Sequence, residues 1–444
     1  MSYLDNILFA ILLIFGFGYF YINIKKIIRN INLGKDINRN DNAKDRWKNM
    51  AMIALGQTKM VKRPLAGVLH IIVYAGFIII NIELLEIIID GLFDTHRVFA
   101  FLGTLYNVLI GSFEILALLV LVSVFTFWIR RNIIKLKRFA NKDLAGFPKN
   151  DANYILYFEV VLMSLFLLMN ASDLHLQNVP GGFSHFIKAG LFPVSQFIEP
   201  LFNGYSNELV MLLSEIFWWL HIVGILIFMN YLYFSKHLHI LLAFPNTYFA
   251  NLNPEGQFDN LESVTNEVKM MMYPNSDPFA AAPANENEAP SKFGASDIQD
   301  LNWVQLLNAY TCTECGRCTS SCPANITGKK LSPRKIMMDT RDRMEEVGKN
   351  IDANKGVFVP DNKSLLNDYI TAEELWACTS CNACVEECPV NISPLSIILD
   401  MRRYLVMEQS AAPMPINAMM TNIENNGAPW QYNQQDRLNW KNEN

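Results

Sequence analysis

The chain has 444 residues, of which 51% are hydrophobic, and its formal net charge is −5 at pH 7. This length allows two domains, and the apolar residues are concentrated in the first 245 positions. Basic residues cluster only in short loops between apolar segments, so the charge distribution gives no support to nucleic-acid binding. The two halves of the chain therefore belong to different classes of protein.

Five stretches of the first half are long and apolar enough to span a bilayer, which takes about 20 helical residues each. They lie at 4–24, 66–89, 104–128, 152–172 and 208–244. The segment before the first stretch is short and lacks a basic start, so we expect a retained anchor and no cleavable signal peptide. The sequence predicts a five-span membrane domain at residues 1–245.

Basic residues predict how these spans are oriented, because Lys and Arg beside a span tend to stay in the cytoplasm. The loops after the first and third spans are rich in both, whereas the opposite loops contribute only Arg97 and Lys188. We therefore expect the N-terminus outside and everything after about Phe244 in the cytoplasm. The predicted location is a bacterial cytoplasmic (inner) membrane.

Residues 246–300 lose the apolar periodicity, and "PNSDPFAAAPANENEAPSKFGAS" has the Pro, Ala, Asn and Glu bias of a chain that buries no core. This segment is predicted to be a disordered linker. Beyond it we expect a helical domain at 301–408, and a tail at 409–444 that packs on that domain or on a partner. The predicted fold class is all-α, a five-span helical bundle joined by the linker to the second domain.

All eight cysteines fall in two copies of one pattern, "CTECGRCTSSCP" and "CTSCNACVEECP". Both read C-x₂-C-x₂-C-x₃-C-P, the bacterial [4Fe–4S] run, in which three thiolates bind one cluster and the fourth cysteine binds the other cluster. The expected ligands are Cys312, Cys315, Cys318 and Cys388 for the first cluster, and Cys378, Cys381, Cys384 and Cys322 for the second. Disulfides and zinc are the alternatives, but cytoplasmic thiols stay reduced, and paired zinc knuckles do not explain the third cysteine of each run.

Each cysteine run is followed by a segment with a Ser-Pro start and apolar residues at helical spacing, which predicts a helix. The two segments are "LSPRKIMMDTRDRMEEVGKN" and "SPLSIILDMRRYLVMEQ". Residues 301–440 resemble the α-helical ferredoxin modules of heterodisulfide reductase and glycolate oxidase iron–sulfur subunits. Members with disulfide chemistry carry Cys-Cys repeats, for which this chain has no cysteine left. The resemblance therefore implies a catalytic Cys-Cys-repeat or flavin site on a partner chain.

Two histidines, His221 and His239, lie 18 residues apart in "LHIVGILIFMNYLYFSKHLH". On one continuous helix, at about 100° per residue, they share a face. Counted from the predicted cytoplasmic ends of their spans, His239 and His70 lie at similar depth. We therefore expect these two imidazoles to meet across a helix pair with room for one b-type haem.

The membrane half resembles the cytochrome b (gamma) subunit of respiratory nitrate reductases, through "VLHI" at His70 and "LHIVG" and "LHILL" in the fifth span. That family holds two b haems between its second and fifth spans, which implies haem ligation by His70 and His239. This chain has Ile80 where the family has a second histidine. We expect a second haem between His221 and His175, whose counted depths match. The resemblance also implies that quinone contacts the outer loop after the second span, where the nearest equivalents are His96 and Arg97.

These features predict a membrane-bound oxidoreductase subunit that passes electrons between the quinone pool, b-type haem and two [4Fe–4S] clusters, to or from a cytoplasmic partner. Its expected partners are membrane lipid, quinone and an iron–sulfur or flavoprotein subunit. The alternative is a membrane-anchored iron–sulfur redox sensor or scaffold without haem conduction. The direction of electron flow depends on burial and hydrogen bonding around the clusters, which the sequence does not give.

Overall fold

The computed structural model describes residues 3–139, 141–179, 186–254, 256–273 and 292–442. Apart from two isolated β-bridges, the secondary structure of these residues is helical. The helices are α1 Tyr3–Ile31, α2 Ala43–Met50, α3 Pro64–Phe93, α4 Thr104–Asn132, α5 Phe147–Gln177, α6 Asn207–Tyr231, α7 His239–Tyr248, α8 Glu262–Met272, α9 Trp303–Thr311, α10 Arg317–Ser321, α11 Pro323–Ile326, α12 Pro333–Ala353, α13 Leu365–Asp368, α14 Ala372–Ala377, α15 Ala383–Glu386, α16 Pro394–Met407 and α17 Met414–Asn426.

Five of these helices, α1, α3, α4, α5 and α6, are long and apolar enough to cross a membrane, which confirms the predicted number. α1 packs on α3 and α6, and the other four pack on one another in chain order, so the five close into one bundle. The bundle exposes apolar side chains such as Ile14 and Phe125, as expected where lipid surrounds the helices. The all-α fold class is therefore confirmed.

The predicted fifth span, residues 208–244, extends too far at its C-terminal end, because the membrane helix stops at Phe234. Helix α6 stops at Tyr231, two short 3₁₀ turns follow at Leu232–Phe234 and Lys236–Leu238, and α7 starts afresh at His239. The break lies at Ser235, whose backbone is extended and whose hydroxyl accepts the N–H of His237 at 3.1 Å. The 18-residue interval between His221 and His239 therefore does not describe one helix face.

The second domain repeats one local design around each cysteine run. Helices α9 and α14, which lead into the runs, both begin with a capping box, from Asn302 and Thr371 respectively. Helices α12 and α16, which follow the runs, both begin with a serine cap and a proline in the first turn. The predicted helices after both runs are thus present.

The second domain packs directly on the end of the bundle that carries the basic loops. Asn30 of α1 donates to the Tyr310 hydroxyl at 2.8 Å, and Arg334 donates to the backbone carbonyl of Arg138 at 2.8 Å. Asn246 of α7 donates to the carbonyl of Val390 at 2.7 Å. One apolar core runs across this junction, from Ile27, Ile155 and Phe228 of the bundle to Ile298, Leu306 and Met344.

The predicted disordered linker 246–300 is too long at both ends. Its described parts hold the end of α7, helix α8 and a capped turn at Ile298–Asp300, and Ala295 and Ile298 are buried in the common core. These apolar positions are too few to give a sequence period, but burial against α16 orders them. Residues 274–291 of the predicted linker lie outside the described residues.

In the predicted tail 409–444, no residue of α17 or of the 3₁₀ segment Gln434–Lys441 is buried. The described part of the tail therefore does not pack into the second domain. Packing of the tail on a partner stays a prediction.

Candidate metal centres

Both cysteine runs fold in the same way. Cys312 directly follows α9, and the residues two and four positions later, Glu314 and Gly316, have positive φ angles of 54° and 72°. A side chain at Gly316 would place its Cβ 2.7 Å from Arg334 Nη1. Glycine is therefore required there, because the turn is left-handed and Arg334 lies against it.

The second run repeats this turn with different residues. Cys378 directly follows α14, and Ser380 and Asn382 have positive φ angles of 54° and 60° at the equivalent positions. The left-handed residues reverse the chain, after which α15 carries Cys384 as α10 carries Cys318 in the first run. Equal cysteine spacing thus corresponds to equal backbone conformation.

The two runs lie against each other, and the fourth cysteine of each approaches the other run. Cys312, Cys315 and Cys318 line a small cavity together with Cys384 and Cys388 of the second run. Burial, together with the nearby Cys378, Cys322 and Cys381, raises the pKa of Cys384 to about 12. Cys322 of the first run therefore lies among the first three cysteines of the second.

The cysteines suit iron–sulfur clusters in their chemistry. Burial raises the pKa of the Cys312 thiol to about 12 and that of Cys388 to about 11, so thiolates there need positive charge beside them, which bound iron provides. In the described part of the chain, no three His, Cys, Asp or Glu side chains converge on a single metal-ion position. The sulfurs instead surround a volume. The backbone N–H groups of Ser380 and Ile392 lie 3.3 Å from the sulfurs of Cys378 and Cys388, and such bonds tune cluster potentials.

A buried ionic network joins the first cysteine run to the end of the bundle. Lys236, between α6 and α7, donates to the carboxylate of Glu314, and Arg341 Nη2 donates to the other Glu314 oxygen at 2.6 Å. Burial alone would raise the pKa of Glu314, but Arg341 and Lys236 hold it below its usual value. Glu314 is therefore a buried carboxylate between Cys312 and Cys315, with two cations beside it.

The structure brings His70 and His239 together, with 6.5 Å between their ring centroids. Two imidazoles on opposite sides of one metal ion, each with a metal–nitrogen distance of about 2 Å, have centroids about 6 Å apart. The backbone carbonyl of Lys236 lies 3.1 Å from His239 Nδ1, which leaves Nε2 as the ligand atom, the usual arrangement of a metal-binding histidine. His70 Nδ1 is buried with no hydrogen-bond partner in the described structure. His70 and His239 are therefore the two residues that would hold a haem iron, if one is bound at this end of the bundle.

His237 lies beside His239, at 5.5 Å between ring centroids, although residues two apart on a regular α-helix point in nearly opposite directions. The 3₁₀ turn at Lys236–Leu238 causes this difference. His237 also packs on Phe228 of α6 at 5.5 Å. Burial lowers the pKa of His237 to about 3, so its ring is neutral at physiological pH.

The structure does not bring His221 and His175 together. His221 contacts Phe166 and the Leu162 backbone of α5, whereas His175 lies nine residues beyond Phe166, about 13 Å further along the same helix. His175 Nδ1 bonds Glu199 Oε1 at 2.7 Å. The depth count fails because the fifth membrane helix ends at Phe234, so His221 lies 13 residues from that end, not 23. The prediction that a second haem lies between His221 and His175 is therefore wrong.

At the other end of the bundle, Arg97 is buried in a polar cluster. Its Nε donates to Asp173 at 2.6 Å, Nη1 donates to the Tyr106 hydroxyl at 3.0 Å, and Nη2 donates to Asn170 at 3.1 Å. Burial would lower the pKa of Arg97, but Asp173, Tyr106 and Glu83 hold it above its usual value. Arg97 therefore stays charged although it is largely buried.

This cluster faces a cavity of about 360 Å³. The cavity is lined by His96 and Arg97, by carboxylates that include Glu83 and Glu86, and by apolar side chains that include Met169, Met211 and Trp218. His96 Nε2 lies 3.2 Å from Asp173 Oδ1. A second cavity, of about 90 Å³, extends inward past His221 to Val73, one turn from His70. The two cavities share Glu83 and Ile87, so together they follow α3 from the outer loop towards His70.

Sequence reasoning missed Lys236, Glu314, Arg341 and Tyr106. Each acts through a partner distant in the chain; Lys236 and Glu314, for example, are 78 residues apart. The one local signal is Lys236 itself, a lysine at the end of an apolar span, which marks a candidate buried partner.

A family model for 4Fe-4S dicluster domains matches residues 311–392. Over 99% of its length the chain is 29% identical to a probable iron-sulfur-binding oxidoreductase, FadF, of Bacillus subtilis, and it covers 61% of that protein. It is 26% identical over 92% of its length to the EtfAB:quinone oxidoreductase of Syntrophomonas wolfei, covering 55% of it. The chain thus spans little more than half the length of these relatives.

One subunit of a ferredoxin/F(420)H(2)-dependent CoB-CoM heterodisulfide reductase, from Methanosarcina acetivorans, is 35% identical over 27% of the chain, and the match covers 60% of that protein. No solved structure matches the chain. The matches support an iron–sulfur electron-transfer role of the oxidoreductase type, and the five apolar helices support membrane association.

Proposed function

We propose that the chain is a membrane subunit that conducts electrons between quinone and a cytoplasmic oxidoreductase partner. The observation that carries this proposal is the double contact of Lys236, whose carbonyl bonds His239 and whose ammonium bonds Glu314. One residue thereby links the histidine pair in the bundle to the loop between Cys312 and Cys315. Such contiguity is what an electron relay needs.

In this proposal the first cluster is bound by Cys312, Cys315, Cys318 and Cys388, and the second cluster by Cys378, Cys381, Cys384 and Cys322. The proximity of Cys388 to Cys315 and of Cys322 to Cys384 supports the crossed fourth ligands. His70 and His239 would hold one b-type haem, in keeping with the resemblance to nitrate reductase cytochrome b. Clusters and haem supply one-electron redox chemistry, while the chain supplies their ligands, spacing and local charge.

Quinone would bind in the outer cavity, with its ring among Met169, Met211 and Trp218. Arg97 and His96 are the groups that can donate hydrogen bonds to a quinone oxygen, and Asp173 keeps both in place. Glu83 and Glu86 line the same cavity, as do Asp90, Asp94 and Glu215, and these carboxyl groups are candidates to hold a proton beside the quinone. The cavity thus combines apolar and aromatic side chains, which can enclose a quinone ring, with charged side chains that can orient its oxygens.

The cytoplasmic partner would be a flavoprotein or a Cys-Cys-repeat iron–sulfur protein. One relative is named as an EtfAB:quinone oxidoreductase and another as part of a heterodisulfide reductase, and both names favour a soluble redox partner. The basic loops on the side of the ferredoxin domain favour a cytoplasmic position for that domain, in a bacterial cytoplasmic membrane with the N-terminus outside.

Replacing Arg97 with glutamine should slow reoxidation of the dithionite-reduced protein by a water-soluble quinone analogue about 10- to 100-fold, the effect of losing a charge-assisted hydrogen bond. It should also lower the unfolding free energy by about 3–5 kcal/mol, because Asp173 is left buried and unpaired. Stopped-flow absorbance and thermal unfolding measure the two effects.

The double variant Arg97→Gln, Asp173→Asn is the control, because it removes both charges. It should recover most of the stability and remain slow with quinone. A double variant that reacts at the wild-type rate would show that Arg97 acts only in folding, and the outer cavity would no longer be the quinone site.

A further inference from the structure

Another candidate binding site lies at the end of the bundle that carries the ferredoxin domain. It is a groove of about 590 Å³ between the start of α3 and the end of α4, and it is lined by five basic side chains and no acidic one. Ser320 of α10 closes the groove on the side of the ferredoxin domain. We call it the basic groove; its cations are Lys62, Arg63, Arg130, Lys137 and Arg138.

Two of these cations are balanced within the chain and three are not. Lys62 pairs with Glu386, and Arg63 Nη2 lies 3.0 Å from Glu387 Oε2. Arg130, Lys137 and Arg138 form no ion pair with any carboxylate in the part of the chain that the structure describes. The groove therefore carries uncompensated positive charge, which favours an external anion.

Arg138 shows how closely these cations are crowded. Its Nε is buried without a hydrogen-bond partner among the described residues, and its guanidinium lies 4.8 Å from the ring centre of Phe139. Burial lowers the pKa of Arg138, Cys315 opposes this change, and nearby Arg63, Arg317 and Arg130 lower the pKa further. An unpaired guanidinium N–H that is excluded from water and lies near other cations favours a charge-assisted hydrogen bond to an anion such as phosphate.

The backbone adds to the same charge. Pro64 begins α3, and Leu65 and Ala66 in its first turn line the groove. The first-turn N–H groups of a helix lack helical acceptors, and the helix dipole places partial positive charge there. Phosphate groups are commonly bound at such positions.

Apolar side chains lie beside the cations, which distinguishes a lipid site from a free-ion site: Leu65 and Leu136 line the groove, and Ile133 and Ile134 directly follow α4. Leu65, Ile133 and Ile134 are 61%, 64% and 60% exposed and lie at the ends of two membrane-spanning helices. Inorganic phosphate has no apolar part to pack on these side chains, whereas the acyl chains of a phospholipid pack on them. We propose that the basic groove binds the phosphate headgroup of an anionic phospholipid, with its acyl chains along Leu65, Ile133 and Ile134.

This site is independent of the quinone and haem proposals, because none of its residues takes part in them. It adjoins Arg334, whose Nη1 donates to the Arg138 carbonyl at 2.8 Å and whose Nη2 lies 2.9 Å from Asp143. A lipid in the groove would therefore also brace the contact between the bundle and the ferredoxin domain. Basic pockets at the cytoplasmic ends of membrane helices bind such headgroups.

The test uses the full chain, delipidated in detergent, and native mass spectrometry with phosphatidylglycerol or phosphatidylcholine added. The wild type should retain one phosphatidylglycerol and should bind it in preference to phosphatidylcholine. The triple variant Arg130→Gln, Lys137→Gln, Arg138→Gln should bind it about 100-fold more weakly. The matched control, Lys25→Gln, Lys44→Gln, Lys48→Gln, removes three cations from the same end of the bundle outside the groove, and it should bind like the wild type.

Thermal unfolding gives the second readout. Phosphatidylglycerol should raise the midpoint for the wild type and the control, and inorganic phosphate should not. Equal lipid binding by the two triple variants would overturn the proposal, as would a wild type without preference between the two lipids. The same midpoint rise with inorganic phosphate would show a free-anion site and would overturn the lipid assignment. The lipid preference of the wild type needs no variant, so a triple variant that fails to fold leaves the proposal testable.

Discussion

Replacing Cys388 with alanine should remove the first cluster, although Cys388 belongs to the second cysteine run. Cys388 lines the cavity formed by Cys312, Cys315 and Cys318, and its thiol interacts with Cys315. Iron content should fall from about eight to about four atoms per chain, since each cluster holds four. The surviving cluster should show the electron paramagnetic resonance (EPR) signal and the potential of the second cluster alone.

Single variants within the runs identify the lost cluster. Cys315→Ala should give the same EPR spectrum as Cys388→Ala, and Cys381→Ala should give the same spectrum as Cys322→Ala. If Cys388→Ala matches Cys381→Ala instead, each run binds its own cluster and the crossed ligand sets are wrong. Anaerobic purification and iron determination accompany each spectrum.

Replacing His239 with leucine should abolish the b-type α band in the dithionite-reduced protein. His239 is one of two imidazoles whose rings lie 6.5 Å apart, and the Lys236 carbonyl fixes its orientation. Leucine fills a similar volume but supplies no ligand atom, so haem content should fall from about one per chain to near zero. His70→Leu should have the same effect.

His237 is the matched control, because its ring lies 5.5 Å from that of His239 and is also buried. His237→Leu should keep the haem. Both cluster EPR signals should survive in all three variants, which checks that the domains fold. A haem retained in His239→Leu and lost in His237→Leu would transfer the ligand role to His237.

Local sequence patterns were sufficient for the membrane helices and the cysteine runs. Hydrophobic length alone identifies the five spans, and cysteine spacing matches a backbone turn that both runs repeat at Gly316 and Asn382. The capped Ser-Pro starts at Ser332 and Ser393 likewise predict helices that the structure contains. In each case the physical cause lies within a few residues of the pattern.

Distances counted along the chain were reliable only where the helix continued. The Oγ of Ser235 caps a 3₁₀ turn, so the count from His221 to His239 crosses a break. The pair of His70 and His239 survives because both lie near the same end of the bundle, but the depth match of His175 with His221 does not. Hydropathy does not reveal a single capped turn inside an apolar stretch.

Contacts between distant segments could not be predicted from one sequence. The buried partners of Arg97 come from α4 and α5, and Glu314 pairs with Lys236 across the junction of the two domains. Residues 292–301 look like the end of a linker, yet Ile298 is fully buried in the common core. Only tertiary packing decides which of these polar and apolar residues are buried.

In the proposed relay, electrons pass between quinone and the clusters by way of the histidine pair. The most direct measurement follows both cluster EPR signals after dithionite-reduced protein is mixed anaerobically with a quinone analogue, in the wild type and in His239→Leu. The clusters should be reoxidised rapidly in the wild type and should stay reduced in His239→Leu. Reoxidation at the same rate in both proteins would contradict electron transfer through the histidine pair.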